Sequence, residues 1–157
     1  MDSISPGKAA VFAILSVSLA FLLAGAPLSA GYARATVEIK GKVFRVDLAQ
    51  SQSQQSLGLG GRKRLGPLEG MLFLYSERDQ HTFWMKGMVI AIDIIWLDNN
   101  RVVHIEHQVP PPVPGTPLTM LPTYASPTPA NAVLEIASGR ARALGLSNGD
   151  FLNIRFE

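Results

Sequence analysis

Cysteine is absent from the 157-residue chain. Its absence excludes disulfide bonds, a lipoprotein anchored through a lipidated cysteine, and a thiol nucleophile. The patterns of several enzyme classes are also missing, since the sequence has no G-x-S-x-G elbow, no H-E-x-x-H motif and no P-loop. The glycine-rich stretch at 58–61 lacks the strand–turn–helix context of a dinucleotide site. The sequence therefore predicts no cofactor and gives no direct evidence of a known catalytic mechanism.

A strong excess of one charge is missing as well. The chain has 14 lysines and arginines against 12 aspartates and glutamates, a net charge of +2. This balance indicates no polyanionic partner such as a nucleic acid. The one basic cluster, Arg62–Arg64, follows a run of glycines, and a solvated loop explains it without a binding role.

One long apolar run, Ala9–Ala26, lies near the start of the chain. It follows Lys8 and precedes a stretch of small residues, which is the order found in secretory signal peptides. We expect cleavage after Ala33 or Ala30, a mature domain of residues 34–157, and a periplasmic or secreted location. The alternative is an uncleaved N-terminal membrane anchor, because the run is close to the minimum length for a membrane span.

The mature part contains short alternating or continuous apolar segments, which predict strands. Residues 37–48 predict a hairpin that turns at Gly41-Lys42, and Ser51 is a candidate N-cap of a short helix. Eight of the eleven prolines fall in residues 110–130 and predict a long, stiff loop. We predict a mainly β single domain, an antiparallel β-barrel or a jelly-roll-like sandwich with two short helices. Further strands are expected at 70–75, 81–85, 91–97, 101–109, 132–136 and the C-terminus, with a second helix near Ser138.

The segment HTFWMKGMVIAIDIIWLD, residues 81–98, carries both tryptophans and places Asp93 inside an apolar strand. Because an unpaired buried carboxylate costs several kcal/mol, Asp93 must have a partner. Lys86 is close in sequence, and Arg62 or Arg64 could reach it from a loop. A structural ion pair, or backbone N–H groups at the base of a loop, would also satisfy it.

Six segments in a fixed order form a larger pattern: GLGGRKRLGPLEGMLF, FWMKGMVIAIDIIWLD, RVVHIEHQVPPP, LPTY, VLEIASG and LGLSNGD. Together they resemble the DUF192 (UPF0127) family, small bacterial and archaeal proteins, often exported, of undetermined function. The resemblance spans roughly Thr36 to Phe156 and implies one β-rich, barrel-like or jelly-roll-like domain. Many members have Asn-Thr where this chain has Gly87-Met88, proline in place of Ala91, and some have a cysteine pair in the proline-rich loop. Roles that depend on those residues do not transfer to this chain.

The preferred functional hypothesis is a non-enzymatic domain that binds a small molecule, a peptide or a glycan, such as a component of the cell envelope. We expect a cleft beside the proline-rich loop, with aromatic, cationic and carboxylate groups close together. Its predicted lining residues are Arg62, Trp84, Lys86, Asp93 and Tyr124.

Two other hypotheses follow from the same residues. The first is a hydrolase or lyase that uses Asp93 with Lys86 or a histidine as acid and base. The second is a zinc or copper carrier that uses His81, His104 and His107. Thioethers also suit Cu(I), although methionine more often fills a core. The methionines of the mature part are Met71, Met85, Met88 and Met120.

Overall fold

The structure, a computed structural model, describes residues 31–157. The described residues form nine strands, two short α-helices and a 3-10 turn. In chain order these are β1 (Arg34–Ile39), β2 (Lys42–Ala49), α1 (Gln52–Leu57), β3 (Glu69–Asp79), β4 (Thr82–Trp84), β5 (Ile92–Asp98), β6 (Arg101–Val109), the 3-10 turn (Leu118–Met120), β7 (Thr123–Ala125), β8 (Ala130–Ala137), α2 (Arg140–Ala143) and β9 (Asn153–Phe156). Seven strands form one sheet in the order β6-β5-β8-β3-β2-β1-β9, and β4 pairs with β7 in a second, smaller sheet.

The predicted hairpin and first helix are confirmed. Strands β1 and β2 pair in antiparallel register, with the turn at Lys40-Gly41, one residue earlier than predicted. Ser51 caps α1 in a reciprocal capping box. Its hydroxyl accepts from the Gln54 N–H at 3.2 Å, and the Gln54 side chain accepts from the Ser51 N–H at 3.0 Å.

The large sheet is mixed, and it does not close into a barrel within the described residues. Strands β2 and β3 are parallel, because the crossover through α1 returns the chain to the same end of the sheet. A single bridge between Arg101 and Phe151 joins the start of β6 to the segment before β9. The sheet therefore curls toward closure without a continuous ladder. This confirms the mainly β prediction in its sandwich form.

Both faces of the large sheet carry an apolar core. The first core includes Val37 from β1 and Leu97 from β5, although these strands lie four positions apart, so the sheet curves around this core. Ala141 of α2 packs into the same core. The second core lies on the other face, where Phe73 and Trp96 meet residues of β4. Alternate residues of each central strand thus enter different cores.

The proline-rich segment contains more structure than a loop. Strand β7 lies within it and pairs with β4, and the 3-10 turn precedes β7. Within residues 31–157, no helix combines the length and hydropathy needed to cross a bilayer. The predicted signal run, Ala9–Ala26, lies outside the described residues.

Candidate functional site

Asp93 is fully buried, and its partners are backbone N–H groups. One carboxylate oxygen accepts from the N–H of Gln108 at 2.8 Å and of Gly139 at 2.9 Å. The other oxygen accepts from the N–H of Ala141 at 2.8 Å. Gly139 is the N-cap of α2 and has no side chain to satisfy the first turn, so Asp93 supplies the cap from a distant strand. The backbone interpretation of Asp93 is confirmed.

The structure does not bring the predicted cleft residues together around Asp93, because they lie on different faces of the sheet. Strand β5 alternates, and Ile95 enters the first core while Ile94 enters the second. Asp93 points with Ile95 toward α2. Trp84 and Lys86 border a cleft on the opposite face. Asp93 therefore cannot share a ligand with them.

The two remaining predicted members also lie apart from Asp93. Arg62 donates to Asp47 of β2 and forms an ion pair there. Tyr124 lies in β7 opposite Phe83 and packs against the second core. Of the five predicted residues, Trp84 and Lys86 line one cleft in the structure. The hydrolase or lyase hypothesis also loses its acid, because both Asp93 oxygens are occupied and shielded from solvent.

The cleft that Trp84 and Lys86 border has a volume of about 220 Å³ and lies between α1 and β4. Glu135 of β8 lines it from the central part of the sheet and is 5% exposed. The strand register places Glu135 opposite Met71 on one side and Ile94 on the other. Glu135 is thus a carboxylate set among apolar neighbours, on the face that carries the second core.

Burial controls the ionisation of Glu135. Removal from water raises the pKa of its carboxyl from 4.5 to about 8, an effect that the positive charge of Arg62 only partly offsets. Its Oε2 atom is buried and has no hydrogen-bond partner in the structure. Burial, and then the charge of Glu135, raise the pKa of the Tyr75 phenol to about 12. The cleft therefore holds a carboxyl group that is mostly protonated at neutral pH, beside a neutral phenol.

The walls of the cleft are aromatic, and its rim is polar. Phe73 and Phe83 pack edge to face, with ring centroids 4.9 Å apart. Trp84 is 43% exposed, and the ammonium of Lys86 lies 5.2 Å from its ring centroid. Amide and hydroxyl side chains complete the rim: Gln52, Gln55, Ser56 and Thr82.

The three histidines do not assemble a metal centre. His104 Nε2 lies 3.4 Å from Glu106 Oε1, while the ring of His81 stacks on Tyr75 with centroids 3.5 Å apart. His107 has a buried, unpartnered Nδ1. No group of three potential ligands among histidine, cysteine, aspartate and glutamate occurs between residues 31 and 157.

The methionines are explained mainly by packing. Met71, Met85 and Met88 lie in the second core, whereas Met120 is 72% exposed in the proline-rich segment. Met85 and Met88, three residues apart, therefore serve as core filler, which is the default role for this side chain.

Sequence reasoning missed Glu135, although the signal was present. The run AVLEIA places one carboxylate in a continuous apolar strand, as AIDIIWL does for Asp93. The same argument from desolvation applies to both residues.

The fold and site together define a small mixed-β domain with a carboxyl group at the base of an aromatic cleft. The DUF192 family model, described as "Uncharacterized ACR", matches residues 35–154, and the chain belongs to this family. No curated protein matches the chain.

Two solved structures resemble this one. A protein of unknown function from Novosphingobium aromaticivorans is 36% identical, with a TM-score of 0.69, over 82% of this chain and 89% of that one. A protein from Sinorhizobium meliloti, provisionally described as a transcription regulator, is 27% identical, with a TM-score of 0.66, over 78% of this chain and 93% of that one.

Proposed function

We propose that this chain is a non-enzymatic binding domain and that the cleft at Glu135 takes a small polar ligand. The buried, unpartnered Oε2 atom of Glu135 carries the proposal. A buried polar atom without a partner costs about 1–3 kcal/mol, and native proteins retain few of them. A ligand that hydrogen-bonds this atom would offset that cost.

The size of the cleft limits the ligand. Its volume of about 220 Å³ is below the roughly 300–1,000 Å³ of sites for drug-sized molecules. A small metabolite fits this limit, as does the terminal group or side chain of a peptide or glycan. The exposed ring of Trp84 at the rim offers a flat surface for the part of the ligand outside the cleft.

Binding is favoured over catalysis by the composition of the cleft. Among the described residues that line it, Glu135 is the sole carboxylate and no histidine is present. Lys86, which could act as the second group of an acid–base mechanism, lies at the rim against the Trp84 ring. The raised pKa of Tyr75, about 12, leaves its phenol neutral and unsuited to act as a base at neutral pH.

Ligand entry is expected to change the fluorescence of Trp84, because this tryptophan borders the cleft while Trp96 is fully buried. Screening amines, amino acids, monosaccharides and cell-wall fragments against the protein should give a saturable fluorescence change and a raised melting temperature for at least one class. W84F should lose the fluorescence change, and E135Q should weaken binding. A ligand that binds E135Q and the wild type equally would place the binding site elsewhere.

We also propose that the chain is exported and that its signal segment is cleaved after Ala30. Leu48 donates its N–H to the carbonyl of Ala33 at 2.8 Å, and Tyr32 packs against the second core. Cleavage after Ala33 would remove Tyr32 from the domain, whereas cleavage after Ala30 keeps both contacts. Intact mass spectrometry of protein exported by a bacterial host should give a chain that starts at Gly31. A chain that starts at Arg34 would contradict this expectation.

A further inference from the structure

We infer that the group bound beside Glu135 is an aliphatic ammonium. The inference rests on the binding role proposed above and specifies the chemistry of the ligand. The unfilled requirement of the cleft is a hydrogen-bond partner for a buried carboxyl oxygen, inside walls made of aromatic rings. An ammonium group meets both conditions, because it carries three N–H donors and a positive charge that the faces of aromatic rings attract.

The carboxyl group at the base favours a cationic partner. Hydrogen bonds between ammonium and carboxylate are roughly twice as strong as those between neutral groups, and burial strengthens them further. A neutral hydroxyl could hydrogen-bond the protonated carboxyl group, but it carries no charge that would stabilise the ionised form of Glu135. A ligand carboxylate would place two acids side by side and raise the cost of ionisation.

The walls support the same chemistry. Phe73, Tyr75, Phe83 and Trp84 contribute four aromatic side chains to the lining. The chain already places one cation against this wall, since the Lys86 ammonium lies 5.2 Å from the Trp84 ring centroid. A ligand ammonium deeper in the cleft would have rings on its sides and the Glu135 carboxylate below.

The charged groups on the elements around the cleft do not occupy the hydrogen-bonding position at Glu135 Oε2. Arg62, from the loop after α1, exerts a positive field on Glu135, but its guanidinium forms an ion pair with Asp47. From β3, Tyr75 presents a neutral phenol, and from β5 the residue opposite Glu135 is Ile94. Lys86 lies at the rim beside Trp84. None of these groups donates a hydrogen bond to Oε2.

Binding of an ammonium should therefore expel a proton from the cleft. With a pKa of about 8, the Glu135 carboxyl is mostly protonated at pH 7 in the free protein. A cation in contact with it lowers that pKa, so the carboxyl ionises as the ligand enters. The proton passes to the buffer, and the ligand enters with its own charge unchanged.

Isothermal titration calorimetry with n-butylamine at pH 7 tests the inference. Titration in buffers of different ionisation enthalpy should report release of close to one proton per amine bound. The neutral analogue 1-butanol should bind roughly tenfold more weakly or worse, and without proton release. A capped lysine, Nα-acetyl-lysine N-methylamide, should bind with the same proton release if the natural source is a peptide side chain. If n-butylamine binds and the capped lysine does not, the natural ligand is a free small amine.

Variants assign the effect to Glu135. E135Q should remove the proton release and weaken n-butylamine binding by roughly tenfold or more. E106Q is the matched control, because Glu106 lies on the edge strand β6, outside the cleft. This variant should keep both the proton release and the affinity for n-butylamine. K86M should tighten n-butylamine binding by roughly two- to fivefold, because it removes a like charge from the rim.

Two outcomes separate this inference from the binding role itself. Binding of 1-butanol or a monosaccharide as tight as that of n-butylamine, without proton release, would overturn the ammonium inference and leave the cleft as a binding site. No saturable response of Trp84 fluorescence or heat to any class of probe would overturn both.

Discussion

Replacement of Asp93 by alanine is expected to lower the free energy of unfolding by about 3–4 kcal/mol. The change leaves three buried backbone N–H groups, those of Gln108, Gly139 and Ala141, without their acceptor. Hydrogen bonds to a charged group contribute about 1.5–3 kcal/mol each, and partial entry of water limits the loss. Chemical denaturation at pH 7, followed by far-UV circular dichroism, measures this difference.

Asp98 offers a matched control on the same strand. Its carboxylate pairs with Arg78 at 2.7 Å, and the arginine side chain of that pair is 57% exposed. Because exposed ion pairs contribute about 0–1 kcal/mol, D98A should destabilise the domain by no more than about 1 kcal/mol. If D93A lowers the free energy of unfolding as little as D98A does, the buried N–H groups find other acceptors, and Asp93 is not needed to cap α2.

The role of Asp93 also explains a local feature of β6. Gln108 has φ of 55°, a conformation uncommon for residues other than glycine, and its N–H donates to Asp93. The carboxylate thus ties β5, the end of β6 and the start of α2 at one point. A position on the face of the sheet opposite the cleft can therefore matter greatly for stability, and loss of binding in a D93A variant would report unfolding.

Much of the fold was predictable because the relevant signals are local. The hairpin at 37–48 follows from alternation around a glycine, and the capping box at Ser51 follows from residues three apart. The alternation of side chains along a strand is a local rule of the same kind, and in β5 it separates Asp93 and Ile95 from Ile94 and Trp96. The parallel pairing of β2 with β3 was missed, because it depends on where the crossover after Ala49 returns to the sheet.

The site was harder to predict because it depends on long-range contacts. Asp93 and Glu135 look equivalent in sequence, each a single carboxylate in an apolar strand. Their difference arises from residues elsewhere in the chain. The N–H donors of Gly139 and Ala141, 46 and 48 residues away, lie over Asp93. No comparable donor lies over Glu135, and its Oε2 atom therefore has no hydrogen-bond partner in the structure.

The stability of the domain should depend on pH through Glu135. The folded pKa, about 8, lies above the ordinary value of 4.5, so the folded state keeps a proton that the unfolded state releases. The stabilisation that the bound proton gives the folded state is therefore fully present below pH 4.5. It falls by about 1.4 kcal/mol per pH unit as the pH rises from there, and it is lost above pH 8. Between pH 4.5 and pH 8, ionisation of Glu135 should lower the unfolding free energy of the wild type by about 3–5 kcal/mol.

Glutamine at position 135 keeps the shape of the protonated side chain and cannot ionise, so E135Q should lack this loss. The measured quantity is the difference in unfolding free energy between E135Q and the wild type, from denaturation at pH 5, 6.5 and 8. It should shift by several kcal/mol in favour of E135Q as the pH rises, while E106Q follows the wild type. A difference independent of pH would mean that Glu135 is ionised throughout and already has a countercharge. In that case an entering amine would find no proton to expel, because the carboxyl group would hold none.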